Sequence, residues 1–430
     1  MRLPACALTI LAALALGACG SSSRQSAGAG HTAGSQAAVS TAGSSGGDCH
    51  TVAADTLGEV GRRIYQQAAA GHGVGEAVAR VTRSPALAAA ISSGDAGAAR
   101  AALNALLANQ IARIEVLKSG RPFASAGSGP AIAPVRGTLP GGASYVLSVQ
   151  PDDSYTKVAK QVTGADILLL SGSASGSASS QRTSRRLAGT IAGPPPARIP
   201  ARGPIEYKNQ KYVAVSLDGQ VFPSGALRIV LLIRRSALRC AGSSAQTHVT
   251  TLGSVGERIY QEEAGSEYVR ATLAHIEGDA AFQRAVAARD LAATRAAIVG
   301  LFAAHIHVVR VRVNVVEPSG AQRFFYDLGG PYVLAPVHGA LRSAGKLVGR
   351  FSFAIQDDAG YTKLAHRFTG AEVLMRTAQK QVQGTLQPGP ASVPDRGAVS
   401  YEGHDYQAYS FVGEAFPSGP LRISLLVAQR

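Results

Sequence analysis

Apolar residues recur along this chain with two periods, and each pattern appears twice. Leu57, Val60, Ile64 and Ala68 fall on one face of a predicted helix, and Leu252, Val255 and Ile259 repeat the spacing. Leu103, Leu106, Leu107 and Ile111 predict a second helical segment, matched by Ile298, Leu301, Phe302 and Ile306. Asp95 and Asp290 stand ahead of these segments, where an N-cap belongs. The period then drops to two. Val309, Val311, Val313 and Val315 alternate with Arg310, Arg312 and Asn314, which predicts a strand with one buried face. Further strands are predicted over 143–149 and 346–355.

The strongest recurrence is Ser148 to Leu169, which returns as Ala354 to Met375. Tyr155, Val158, Ala159 and Val162 share one helical face, as do Tyr361, Leu364, Ala365 and Phe368. That pattern predicts a short amphipathic helix lying on a sheet. Gly164 and Gly370 stand where a helix stop needs positive φ. Asp152 with Asp153, and Asp357 with Asp358, precede the helix. A capping role accounts for these carboxylates, and ligand contact is the alternative reading.

Other segments pair in the same order. Thr56 to Tyr65 matches Thr251 to Tyr260, Ala133 to Leu139 matches Ala335 to Leu341, and Phe222 to Ile229 matches Phe416 to Ile423. Two long copies imply tandem globular domains, over 49–240 and 246–430, with a linker at 241–245.

The N-terminus predicts an address. After the basic Arg2, Leu3 to Ala18 form a short apolar run that leads into Leu16-Gly17-Ala18-Cys19, which resembles the lipobox of bacterial lipoproteins. The resemblance implies a signal peptide over 1–18 and a lipid on Cys19; an ordinary secretory signal cleaved nearby is the alternative. Residues 19–48 are rich in Ser, Gly and Ala, too polar to bury a core, and read as a flexible tether. Of the four cysteines, Cys49 and Cys240 would remain after processing and lipidation. An even pair outside the cytoplasm predicts a disulfide, with unpaired thiols as the alternative. The expected location is the extracytoplasmic face of a cell membrane, held by lipid and not by a span.

Charge narrows the partners. The net charge is +15, and residues 49–240 carry 22 Lys+Arg against 10 Asp+Glu. Residues 246–430 carry 18 against 16. Outside the cytoplasm nucleic acid is not the expected partner; anionic headgroups or wall polymers, or simple solvation of an arginine-rich surface, are the readings for the basic half.

The element order, the repeated acidic turn before Tyr155 and Tyr361, and the Thr-Gly-Ala that follows resemble the Cache domain, a PAS-like extracytoplasmic sensor module. The resemblance covers both copies. It implies an α+β fold: two tandem PAS/Cache-like domains, each an antiparallel sheet flanked by N-terminal helices, with a small-molecule pocket on one face of the sheet. It implies a ligand-binding sensor with a membrane receptor or kinase as partner, and no enzyme. The family's amino-acid-binding motif, with its Arg and Trp, is not recognisable, and the chain has no Trp. A structural or scaffolding envelope lipoprotein is the rival expectation.

Candidate ligand contacts come from residues that would line the sheet. Arg310 and Arg312 project opposite the valines and would favour an anion if that face lines a pocket. Tyr326, Tyr332 and His338 are expected nearby, where the first copy carries Ala124, Pro130 and Arg136. Asp358 and Tyr361, with Asp152 and Tyr155, complete the set. His305 and His307 on one side of a strand could hold a metal, but no third ligand at matching spacing is evident; half-exposed histidines at a helix-to-strand junction are the expected reading, and no metal is expected. No cofactor motif and no catalytic constellation appear.

Overall fold

The computed structural model describes residues 48–107, 110–172, 185–305, 307–330, 333–378, 380–417 and 419–429. The signal segment, Cys19, nearly all of the tether and Tyr332 lie outside the described residues.

Repeat one opens with a long helix α1 (Cys49–Ala70) and three short ones, α2 (His72–Thr82), α3 (Pro85–Ser93) and α4 (Ala96–Leu107). Strands β1 (Arg113–Lys118), β2 (Arg121–Ala126), β3 (Ala131–Ile132), β4 (Val135–Thr138), β5 (Ser144–Ser148) and β6 (Gln150–Pro151) follow. Helix α5 (Asp152–Thr163) leads to β7 (Asp166–Ser171), β8 (Arg186–Gly189), β9 (Arg202–Tyr207), β10 (Gln210–Val221) and β11 (Gly225–Arg234).

Repeat two runs through the same order. Its helices are α6 (Ser244–Gly265), α7 (Glu267–Gly278), α8 (Ala280–Ala287) and α9 (Leu291–Ala304). Next come β12 (Arg310–Val316), β13 (Gln322–Gly329), β14 (Val333–Leu334), β15 (Val337–Ser343), β16 (Lys346–Ala354) and β17 (Gln356–Asp357). Helix α10 (Asp358–Thr369) precedes β18 (Glu372–Thr377), β19 (Lys380–Gly384), β20 (Arg396–Tyr401), β21 (His404–Phe416) and β22 (Gly419–Ala428).

The fold is α+β, and each repeat carries two antiparallel sheets where one was expected. A four-stranded sheet has the order β2-β1-β5-β4, or β13-β12-β16-β15 in repeat two. A seven-stranded sheet has the order β6-β3-β10-β11-β7-β8 with β9 on β10, and β17-β14-β21-β22-β18-β19 with β20 on β21. The split follows from burial on two separate sets of helices. The short helices cover the small sheet, where Leu87, Ile91 and Leu103 pack on Ile114, Val116 and Leu147. The long helix and α5 cover the large one, where Leu57, Val60 and Ile64 meet Val215, Leu217, Ile229 and Leu231. Each such side chain taken from water contributes about 1.5–3 kcal/mol.

Helices α1 and α6 also pack on each other, and Leu252, Val255, Ile259 and Phe368 join the same core as Leu57 and Val60. The contact is reciprocal. Arg63 on α1 donates to the carbonyls of Phe368, at 3.3 Å, and Thr369 at the end of α10. Its counterpart Arg258 on α6 donates to Thr163 at the end of α5, at 2.9 Å. Each guanidinium lies over the helix-stopping glycine, Gly370 or Gly164, both at positive φ. A cation at a helix C-terminus satisfies exposed carbonyls and opposes the helix dipole.

The cysteines close repeat one: Cys49 and Cys240 are joined by a disulfide with Cα atoms 5.4 Å apart. Among the described residues no helix is long and apolar enough to cross a membrane.

Candidate functional site

Of the candidate contacts in repeat two, Arg312 and His338 share the outer face of the small sheet, while Tyr326 pairs with the inward-facing Val313. Register places His338, Ser352, Arg312 and Asp327 side by side across β15, β16, β12 and β13. His338 is exposed, and its Nδ1 lies 2.8 Å from the Ser352 hydroxyl. Arg312 sits over the Phe324 ring at 5.0 Å. Tyr326 is half-buried on β13 and packs at the edge of the core beneath the same sheet.

Arg310 is already engaged. It donates from Nε and Nη2 to both carboxylate oxygens of Asp327, at 2.8 and 2.7 Å, and from Nη1 to the Gly330 carbonyl at 2.8 Å. Its guanidinium also covers Phe416 of the large sheet, 5.2 Å away, so it locks one sheet to the other. In repeat one Arg113 does the same over Phe222, at 4.5 Å. Arg136, the equivalent of His338, is exposed and donates to the Pro223 carbonyl at 3.1 Å.

The acidic-turn residues are placed elsewhere, on α5 and α10 against the large sheets. In repeat two Asp357 caps the helix, accepting from the Gly360 N–H at 2.5 Å. In repeat one the cap position is Pro151, so the capping expectation for Asp152 and Asp153 holds only in the second copy. Asp152 and Asp358 are each 8% exposed. Burial pushes both carboxyls up, Asp358 to about 6. Tyr155 and Tyr361 are packing residues, their hydroxyls donating to the carbonyls of Gly61 at 3.4 Å and Gly256 at 2.9 Å. Beside Tyr361 on the long helix, burial with Glu262 nearby pushes the Glu263 carboxyl up to about 8. Sequence reasoning missed this acid, although an acid where repeat one has Ala68 breaks an apolar face.

His305 and His307 lie at the helix-to-strand junction, half-buried, as the junction reading expects. Helix α9 runs to Ala304, His305 ends it, and β12 begins only at Arg310. Burial holds both imidazoles below their usual pKa, and His275 adds to the effect at His305.

A cleft of about 390 Å³ lies where the repeats meet. Leu57 of α1 forms one wall, Ser236, Leu238 and Arg239 of the segment before Cys240 form another, and Thr251, Ser254, Glu257, Arg258 and Gln261 of α6 form the third. Burial and the neighbouring Arg239 lower the Arg258 pKa, while Glu257 opposes them. Two guanidinium groups beside one carboxylate suit a small ligand that carries an anionic group. The cleft was not foreseen. Its walls come from parts of the chain far apart in sequence, and the only signal was the Arg-bearing segment 234–239, which runs on past the last strand of repeat one.

No protein-family model matches the chain. No curated protein matches it either. Among solved structures it is similar to an extracellular ligand binding receptor from Desulfohalobium retbaense, at 11% identity and a TM-score of 0.26, over 52% of this chain and 47% of that one. The matched region thus spans about half of that receptor's length. A likeness at that level carries no functional weight.

Proposed function

We propose that the protein is an extracytoplasmic lipoprotein, anchored through Cys19, that binds a small carboxylate-bearing ligand and passes its bound state to a membrane partner. The observation that carries the reading is the cleft between the repeats. A ligand seated there touches α1, α6 and the segment before Cys240 together. It would relieve the repulsion between Arg239 and Arg258, and Glu257 offers a partner for an ammonium group. Because both long helices line the cleft, such a ligand favours one packing of the repeats over another, the differential contact that a population shift requires. The Cys49–Cys240 disulfide supports an oxidising compartment. The reading assigns no catalytic step.

The test is a thermal-shift screen of the purified protein against amino acids, dicarboxylates, amines and nucleobases. A ligand should raise the melting temperature with concentration, and Ser254→Leu, which fills the cleft, should abolish the shift. No shift across the library would sink the sensing reading. Cys19→Ala should release the protein into the medium, and membrane retention would defeat the anchor.

A structural envelope role is the second reading. It is favoured by the inner faces of the small sheets, which are filled by their own side chains: Val311, Val313 and Phe353 are fully buried under α7 to α9. A silent screen would support it.

A further inference from the structure

One end of the large sheet in repeat one is cationic. Arg234 closes β11 opposite Tyr212, near the start of β10, so Arg235 and the turn between β9 and β10 sit at the same end. That hairpin carries Lys208 and Lys211, and all four cations are exposed, as is Arg239 beside Cys240. The acids on these segments are Glu206, which pairs across the hairpin with Lys211, and Asp48, 3.5 Å from Arg235. Lys208 Nζ donates to the Ala192 carbonyl at 2.8 Å, a neutral acceptor that leaves its charge in place. The matching end of repeat two reverses the sign. Its hairpin carries Glu402 and Asp405 where repeat one has Lys208 and Lys211, and Ala428 and Gln429 stand where repeat one has Arg234 and Arg235. One sheet end folds with either set, so packing does not demand the cations. The small sheet lies beyond the other end of β10, because β3 pairs with Val221, the last residue of that 12-residue strand. A strand of that length spans about 40 Å.

We propose that this end of repeat one docks on anionic phospholipid headgroups, with the small sheet pointing away from the bilayer. The chain itself leads there. Residues 19–48, which follow the lipobox, enter the fold at Asp48 and Cys49, and Cys49 is bonded to Cys240 within the same basic end. The proposal takes its orientation from the lipid-anchor reading. A tether of that length reaches at most about 100 Å when fully extended, so an anchored chain holds the cations near the headgroups and individually weak contacts add. Each Lys or Arg brought within a Debye length of a negative surface is attracted to it. Glu402 and Asp405 confine the contact to repeat one.

The test is co-sedimentation of the full chain carrying Cys19→Ala with vesicles of phosphatidylglycerol and phosphatidylcholine in equal parts, and with phosphatidylcholine alone. No lipid on the protein contributes, and the N-terminal segment is common to every sample. Binding should require phosphatidylglycerol and should vanish as salt is raised from about 0.1 M to about 1 M, which shortens the Debye length from about 10 to about 3 Å. Arg234→Ala with Arg235→Gln should weaken binding about fivefold for each charge removed. Adding Lys208→Glu and Lys211→Asp, which completes the set that repeat two already accommodates, should abolish it without lowering the melting temperature. Arg83→Gln with Arg121→Gln, an equal loss of charge in the small-sheet half, should leave binding within about twofold of the parent, since charges beyond a Debye length are screened. Equal binding to both vesicles, or equal losses in the two double variants, would overturn the proposal. So would binding to a soluble poly(glycerol phosphate) but not to vesicles, which would assign the surface to a wall polymer. Release by Cys19→Ala in cells tests the anchor separately: vesicle binding can fail while the anchor holds, and can hold while the anchor fails.

Discussion

On the long helix of repeat one, position 68 is a buried alanine; at the equivalent position of repeat two, Glu263 is 7% exposed. Around this difference almost everything structural is shared. Tyr65 and Tyr155 meet edge-on with centroids 6.3 Å apart, and Tyr260 and Tyr361 do so at the same distance. Tyr65 accepts from the Gln220 N–H and Tyr260 from the Glu414 N–H, each at 2.7 Å. Arg63 and Arg258 cap each other's repeats. The residues held in common build the scaffold. The residues that differ, Glu263 and the imidazole cluster of His275, His305 and His307 among them, give repeat two titratable side chains where repeat one has none or others.

Glu263 offers the largest test of that difference. An acid whose pKa is about 8 when folded, against 4.5 in the open chain, holds a proton that the unfolded state releases. Its contribution to stability is therefore greatest in acid and is lost as pH rises through that window. Each unit of pH inside the window costs up to about 1.4 kcal/mol, so the total reaches a few kcal/mol. Glu263→Ala copies repeat one. Any packing it loses is independent of pH, so the readout is the slope. The melting temperature of the variant relative to the parent should climb steadily from pH 5 to pH 8. Asp358, pushed up to about 6, gives the parent and the variant the same smaller decline at lower pH. Parallel curves would show that Glu263 is solvated, and that the two long helices are electrostatically alike.

Gly253 sharpens the comparison through shape. A Cβ there would lie 2.1 Å from Cγ of Tyr409, in the ring itself, whereas one on Gly58 would lie 2.6 Å from a single methyl of Val215. A valine methyl turns aside more readily than a packed ring moves. Gly253→Ala should cost about 1–3 kcal/mol by chemical denaturation, and Gly58→Ala less. Equal costs would mean that α6 and α1 approach their sheets with equal slack.

Much of this fold was legible in sequence because repetition marks what packing requires. The spacing of Leu57, Val60 and Ile64, the Tyr-to-Gly length of α5 and α10, and the valine alternation in β12 each report one local period. The division into two sheets was not legible. The tiny strands Ala131–Ile132 and Val333–Leu334 lack any period, yet they join the two halves of each repeat. The candidate sites were less legible still. Arg310 looked available because Asp327, its partner across the sheet, lies 17 residues away. The cleft and the imidazole cluster depend on helices meeting at their ends, and His275 lies 30 residues before His305. Element order identifies such a scaffold, but only tertiary packing brings those side chains together.

The smallest difference between the repeats is a hydrogen bond. Tyr361 Oη stands 2.9 Å from the Gly256 carbonyl, while Tyr155 Oη stands 3.4 Å from that of Gly61. Both rings are almost fully buried and keep their edge-on contact with Tyr260 or Tyr65, so removing the hydroxyl leaves the packing unchanged. Tyr361→Phe should therefore cost about 1 kcal/mol, the typical net value of a buried hydrogen bond. Tyr155→Phe should cost distinctly less, because an oxygen at the outer limit of bonding distance gains little over a phenyl edge. Urea midpoints for the two variants would settle the order. Tyr361 should also matter more at high pH, where the ionised Glu263 beside it raises the cost of any disturbance in that part of the core. If the two variants lose equal stability, the tyrosines are interchangeable parts of the scaffold, and the two helix–sheet contacts differ through Glu263 and the Gly253–Tyr409 approach.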